Sequence, residues 1–344
     1  MLTIENNEAS VIVACDGRLL LRYQAVTHAS KPHFDVVAIP PTAQPVPHVG
    51  RPLPESTENI VLACPHDHPW HLGLFFTPGE LDGLNFWGAE RARHNVEPHG
   101  EARSTGRVKT SIRDDGAVEF SHEIEWQALL PPSSGEVVVW MREHRAIVVP
   151  PPREHAYRMD WVIALTATAG DRRCSSVREN IRRVSQDDPP EVGGQVLGSP
   201  RSPDGSATEG LEVAGLAYRS PRSMSDRGGG LFNSERGSSP RAVPGRPGPR
   251  CGFTGKPGGC CRRRHAHQAG VALMDHPQNP GYPNAFSATT SPFGLLALNP
   301  AFGRSLTIKH DDPITLRFGV LIHYGEPDRE RIELEYQRFV QPGR

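Results

Sequence analysis

Apolar and polar residues alternate in step along several stretches of the chain. Val118, Phe120, Ile124 and Trp126 fall at even spacing among Glu119, His122, Glu123 and Glu125. Val137, Val139, Met141 and Glu143 keep a similar period. Tyr157, Met159, Trp161, Ile163 and Leu165 alternate with residues that include Arg158 and Asp160, and Ile314, Leu316, Phe318, Val320, Ile322 and Tyr324 form a long final run. A period of two puts one row of side chains against a core and the other in water, which favours antiparallel sheet. Val11-Ile12-Val13-Ala14 and Leu19-Leu20-Leu21 flank Asp16-Gly17, a turn pair that predicts a hairpin. Asp114-Asp115-Gly116 and Pro131-Pro132-Ser133-Ser134-Gly135 break the pattern at intervals typical of sandwiches and barrels. After the last run, Glu326-Pro327-Asp328 reads as a helix start, and Ile332, Tyr336 and Phe339 recur at helical spacing. The expectation is a mostly β chain, one large antiparallel sandwich over residues 1–344 with a short C-terminal helix packed on a sheet.

Between about Asp171 and His265 the pattern is lost. Arg172, Arg173, Arg182, Arg183, Arg246, Arg250, Arg262, Arg263 and Arg264 lie among Pro, Gly and Ser, and the stretch from Ser238 to Arg250 has no periodicity. One reading is a disordered basic insertion. The other treats these tracts as out-of-frame translation of a GC-rich gene, because islands of ordinary sequence survive among them. Gly215-Leu216-Ala217-Tyr218-Arg219 looks like a strand, and Gly229 to Glu235 looks like a loop entering another.

Composition narrows the function classes. A formal net charge of −1 over 344 residues argues against a nucleic-acid-binding surface. No apolar run approaches the roughly 20 residues that span a bilayer, and the polar start, with Glu5 and Glu8, is unlike a signal peptide. A cytoplasmic location is expected, without nucleic-acid or membrane partners. The six cysteines show no framework or C-x-x-C spacing, so neither disulfides nor a zinc ribbon are expected.

Candidate chemistry starts at Pro65-His66-Asp67-His68-Pro69-Trp70-His71. In a strand or at its end, His66 and His68 would share a face and Asp67 would take the other. With His71 they suit a divalent metal, or acid–base work near neutral pH. The structural alternative is a His-rich, Pro-bounded surface loop. A second candidate follows an apolar run at Asp275-His276-Pro277-Gln278-Asn279-Pro280, where the alternative is plain turn chemistry. Glu143 falls in phase with Met141 and should point inward, as a base or as the partner of a nearby Arg. His323 lies opposite Ile322 and Tyr324 and reads first as structural. Asp82-Gly83-Leu84-Asn85-Phe86-Trp87-Gly88 predicts a turn that supplies an aromatic wall, with Phe86 in the core. Dinucleotide, Walker, nucleophile-elbow and H-E-x-x-H motifs are absent.

Three of these blocks, in order, resemble the bacterial PmoA-like family, also called DUF6807: Asp67-His68-Pro69 with His71 and Gly73, Asp82 to Trp87, and Gly270 to Pro277 with Asn279. The resemblance runs from about residue 28 to the end, outside the anomalous tracts, and includes the Gly215–Arg219 island. The label names a methane monooxygenase subunit, but this chain has no apolar runs to form that subunit's transmembrane helices. Trp70 stands where the family commonly has His, which favours an aromatic sugar platform over a multi-His metal site.

The resemblance implies a galactose-mutarotase-like β-supersandwich and a carbohydrate-active enzyme, an epimerase, lyase or glycoside-processing protein acting on a sugar or sugar derivative. In that reading His68 and His71 are acid–base groups and Glu143 is the base or an orienting carboxylate. Asp275 and His276 complete the pocket. Asp67, Trp70, Asn85, Trp87, Asn279 and His323 bind substrate, and no cofactor is expected. The alternatives are a metal-dependent oxygenase or hydrolase using His66, His68 and His71 with a divalent ion, and a non-catalytic sugar-binding module.

Overall fold

The computed structural model describes residues 1–40, 59–89, 98–129, 137–180, 210–225, 230–234, 243–257, 268–291, 293–325 and 329–341. Two large antiparallel sheets dominate. The first has nine strands in the order Leu2–Asn6, Ser10–Cys15, Arg18–Gln24, His33–Val37, Leu74–Thr77, Gly215–Arg219, Leu295–Asn299, Ala285–Thr289 and Arg246–Pro247. The second has eight: Leu231–Ser234, Arg250–Gly255, Ala269–Asp275, Ile314–Tyr324, Ala156–Ala167, Val137–Val149, Val118–Leu129 and His99–Ile112. A four-stranded and a two-stranded sheet complete the ladders.

The two large sheets face each other. Phe34 meets Trp161 at 5.5 Å between ring centroids, Tyr23 meets Phe120 at 5.3 Å, and Tyr218 meets Phe253 at 5.9 Å. Burying side chains of this size contributes about 1.5–3 kcal/mol each, so the inner rows of both sheets form one continuous core. The expected sandwich is present. Its outer faces are covered too. Ile332 and Tyr336 of the helix Arg329–Val340 pack on Ala272, Met274 and Leu321 of the eight-stranded sheet. That is the amphipathic helix the spacing predicts, although its expected start at Glu326-Pro327-Asp328 lies outside the described residues. On the nine-stranded sheet, Phe75, Ala217, Leu295 and Ala297 point away from the main core and pack with Leu72, Trp87 and Phe293.

Most alternating runs are strands with the expected phase. In Val118–Leu129 and Ala156–Ala167 alternate residues are buried almost throughout. Asp16 and Gly17 both take positive φ, +50° and +75°, as the predicted two-residue hairpin turn requires. The run from Val137 to Glu143 departs from its pattern. Val139 pairs with Gln127 but Met141 pairs with Trp126, so Trp140 is the extra residue of a bulge. The bulge resets the phase, leaving Met141 and Glu143 buried and Val137 exposed.

Within the anomalous region, described residues join the ladders. Gly215–Arg219 is a central strand, and Arg246–Pro247 and Arg250–Gly255 are also strands. Leu231–Ser234 is an edge strand. The tracts 181–209, 235–242 and 258–267 lie outside the described residues. Among the described residues no helix is long and apolar enough to cross a membrane.

Candidate active site

The segment from Ala63 to Leu72 is a closed loop. Its ends meet at an antiparallel bridge between Ala63 and Leu72, and the Cys64 amide donates to the His71 carbonyl at 2.8 Å. Inside it the chain turns twice: the His68 amide donates to the Pro65 carbonyl and the His71 amide to the His68 carbonyl. Pro65 and Pro69, with φ fixed by their rings, favour such turns. The expectation that His66 and His68 share one face of a strand is therefore wrong. His66 is exposed, whereas His68 and His71, three apart around a turn, stack with centroids 5.0 Å apart and planes 15° apart.

The stacked imidazoles sit in an aromatic setting. Phe293 lies 4.4 Å from His68 and 5.1 Å from His71, Trp70 lies edge-on to both, and Trp87 meets His71 at 5.7 Å. Asp67 Oδ2 is 3.2 Å from His68 Nδ1. This hydrogen bond first, and the Arg219 charge with it, hold the Asp67 carboxyl below the usual carboxylate range despite its partial burial. An ionised Asp67 accepts Nδ1–H, so the tautomer it selects has Nε2 as the basic nitrogen.

Two cations belong to this site that the sequence reading did not single out. Arg219, fully buried, ends the strand Gly215–Arg219 and lays its guanidinium 4.0 Å above Phe293, with Nη2 3.5 Å from Asp67 Oδ2. The strand's register explains its position. Tyr218 faces the core, so its neighbour Arg219 faces the loop. Lys31, also fully buried, donates to Ser30 Oγ at 2.7 Å and to the Trp87 carbonyl at 3.2 Å, and lies 5.4 Å above the Phe75 ring. The signal for Arg219 was its place in the Gly-Leu-x-x-Arg island. Lys31 had no comparable signal.

Trp87 is buried, and among the described residues its Nε1 has no hydrogen-bond partner. Asn85 supports it from the predicted turn: Asp82 and Gly83 take positive φ, and Asn85 Oδ1 accepts the Gly88 amide at 2.9 Å. Phe86 points into the main core, 5.6 Å from Trp126, as expected.

The remaining candidates lie elsewhere. Glu143 points inward as expected, but into the middle of the sandwich. Its Oε1 accepts from Arg145 Nε at 2.6 Å and its Oε2 from Trp126 Nε1 at 2.8 Å. Arg145 continues to Tyr23 Oη at 3.1 Å, which lies 3.0 Å from His122 Nδ1. Glu143 therefore has the structural role of a buried ion pair.

Asp275 is equally committed. It accepts from Asn279 Nδ2 at 2.7 Å and from the Asn284 amide at 2.7 Å, with Asn284 Nδ2 nearby, and Arg304 grips Asn284 in turn. Asn279 also locks to the backbone of Arg317 from both sides of its amide. His276 rests edge-on against Phe339 of the helix, 5.2 Å away. His323 is buried, 3.3 Å from Thr254 Oγ1.

The hairpin of Ala285–Thr289 and Leu295–Asn299 fixes the distance between the two Asp-His blocks. Asn284 and Asn299 mark its Asp275 end, and Phe293 marks its His68 end. The four residue steps from Leu295 to Asn299 span about 13 Å. The structure thus brings together Asp67, His68, Trp70, His71 and Trp87, and keeps Glu143, Asp275, His276, Asn279 and His323 out of that group.

Among the described residues no group of three or more His, Cys, Asp or Glu is placed to hold a metal ion. Parallel stacked imidazoles also direct their in-plane lone pairs side by side rather than at a common point. A small cavity between Phe76, Leu165, Cys174, Ile308 and Leu316 is apolar, and burial pushes the Cys174 thiol up to about 12. It carries no acid–base chemistry near neutral pH.

Fold and site together define an antiparallel β-sandwich protein with a carboxylate–imidazole pair in an aromatic setting at one end of its nine-stranded sheet. The chain belongs to DUF6807, a family of unknown function, whose model matches residues 10–337. No curated protein matches the chain, and no solved structure does.

Proposed function

We propose that the chain is a carbohydrate-active enzyme of the cytoplasm that moves a proton on a sugar, as an epimerase or a lyase, with His68 as its acid–base group. The observation that carries this reading is the Asp67–His68 pair, at 3.2 Å, set between Phe293 and Trp70. Asp67 orients the imidazole and stabilises the imidazolium that forms when Nε2 takes a proton. The half-buried Trp70 ring suits the C–H face of a sugar ring, whereas Phe293 is buried beneath the Arg219 guanidinium. His71 supports His68 from below as its stacking partner. Glu143 and Asp275 have no part in this reading, because their carboxylates are occupied elsewhere. The carbohydrate assignment draws on the family resemblance and on this chemistry.

The test is solvent exchange. Incubated in D2O with a panel of aldoses, ketoses and sugar acids, the protein is expected to wash deuterium into one substrate carbon, read by NMR. His68→Asn should slow that exchange by about a hundredfold or more while sugar binding persists. Binding without exchange in the wild type would assign a sugar-binding module instead. No binding and no exchange across the panel would overturn the proposal. Treatment with a chelator should leave exchange unchanged. Loss that is restored by a divalent ion would favour the metal-dependent alternative.

A further inference from the structure

The end of the strand Gly215–Arg219 holds the separate pieces of the site together. The Arg219 amide donates to the Gly73 carbonyl at 2.7 Å, and the Arg219 carbonyl accepts from the Leu62 amide at 3.0 Å. Leu62 and Gly73 flank the Ala63–Leu72 bridge that closes the loop, so one residue fastens both of its feet. The next residue, Ser220, donates its amide to the Gly294 carbonyl at 3.0 Å, which ties the neighbour of Phe293 to the same point. The fully buried Arg219 side chain spans these elements a second time. Its guanidinium carbon lies 4.0 Å over the Phe293 ring, and Nη2 is 3.5 Å from Asp67 Oδ2. That same oxygen meets His68 Nδ1 at 3.2 Å. The 3.5 Å contact is long for a charge-assisted hydrogen bond, typically about 2.7–2.9 Å. It leaves Oδ2 to accept from His68 while the cation steadies the carboxylate. A planar guanidinium can lie on a ring and point one edge at an acid, whereas an ammonium is a compact charge on a flexible stem.

We infer that Arg219 is a positioning residue for the Asp67–His68 pair: its backbone fixes the loop that carries the pair, and its side chain fixes the carboxylate against His68 Nδ1. It acts through Asp67 rather than on the substrate. This role rests on the proton-transfer reading above and deepens it.

Arg219→Lys tests the inference, because it keeps the buried charge and the backbone anchors but has no flat face to lay on Phe293. In the deuterium-exchange assay its kcat should fall about tenfold or more, while KM stays within about twofold. Added to Asp67→Asn, the same change should cost little further, since a residue that acts through Asp67 then has nothing left to position. A second readout needs no substrate. Long-range 15N NMR of the neutral His68 ring should show the Nδ1–H form in the wild type and a mixture with the Nε2–H form in Arg219→Lys. If Arg219→Lys does not fold, Phe293→Leu removes the ring beneath the guanidinium and should move rate and tautomer in the same direction. An unchanged His68 tautomer in the folded variants would sink the inference, as would rate losses that simply multiply in the double variant. Absence of exchange in the wild type would overturn the proton-transfer reading, and the tautomer comparison would still decide the part played by Arg219.

Discussion

Asp67 and Asp275 each open the tripeptide Asp-His-Pro, and the two carboxylates do different work. Asp67 reaches the ring of the next residue, His68. Asp275 turns away from His276 and is consumed by Asn279 and Asn284. Asp67→Asn should therefore cost turnover, about a hundredfold or more, because the amide no longer selects the His68 tautomer or balances its charge. Steady-state rates scaled to the folded fraction would bear this out, since buried Arg219 also loses a charge partner. Glu143→Gln should do the opposite. It strands the Arg145 charge in the core, an expected loss of about 3–5 kcal/mol, read by denaturant unfolding, while folded molecules keep their activity. These roles were only half legible in the sequence. Composition and spacing marked Asp67, His68, His71 and Glu143 as unusual. Which acceptor meets which donor depends on residues far apart in the chain, such as Arg219 or Asn284.

At the scale of elements, the loop Ala63–Leu72 is anchored by Gly73. Its φ is +78°, and a Cβ there would sit 2.3 Å from the Phe34 carbonyl oxygen. Gly73→Ala should destabilise by about 2 kcal/mol or more and disturb the His68–His71 stack, so both melting temperature and turnover should fall. Strands and the helix were the most legible part of the chain. Alternation over Ala156–Ala167 and helical spacing at Ile332 and Tyr336 record burial directly. The bulge at Trp140 was hidden, since it exists only in the pairing with Val118–Leu129. The double turn at Pro65–His71 was legible only as the Pro-bounded loop alternative, because the His66/His68 alternation fits a strand or its end equally well. Arg246–Pro247 and Arg250–Gly255 were illegible for another reason. Their Gly, Pro and Arg composition resembles a loop, and only neighbouring strands make them sheet.

The whole molecule should lose stability in acid. Burial holds His122 down to about 3, helped by the Arg145 charge, and burial likewise holds His323 down to about 4. In the unfolded chain both return to about 6.5. Between those values the unfolded state binds more protons, so stability falls as the pH drops through about 6.5 toward 4. At pH 4 each imidazole should cost on the order of 3 kcal/mol relative to neutral pH. His323→Gln should flatten that slope in urea titrations run at several pH values. A different consequence follows from the hairpin of Ala285–Thr289 and Leu295–Asn299, whose ends serve separate purposes. One end is tied into the Asp275 knot, and the other borders the His68 site at Phe293. Selection could then rework ligand preference around residues 290–294 without disturbing the anchorage. Such a division makes the scaffold evolvable: relatives can keep one end of the hairpin as a fixed clasp and diversify the other.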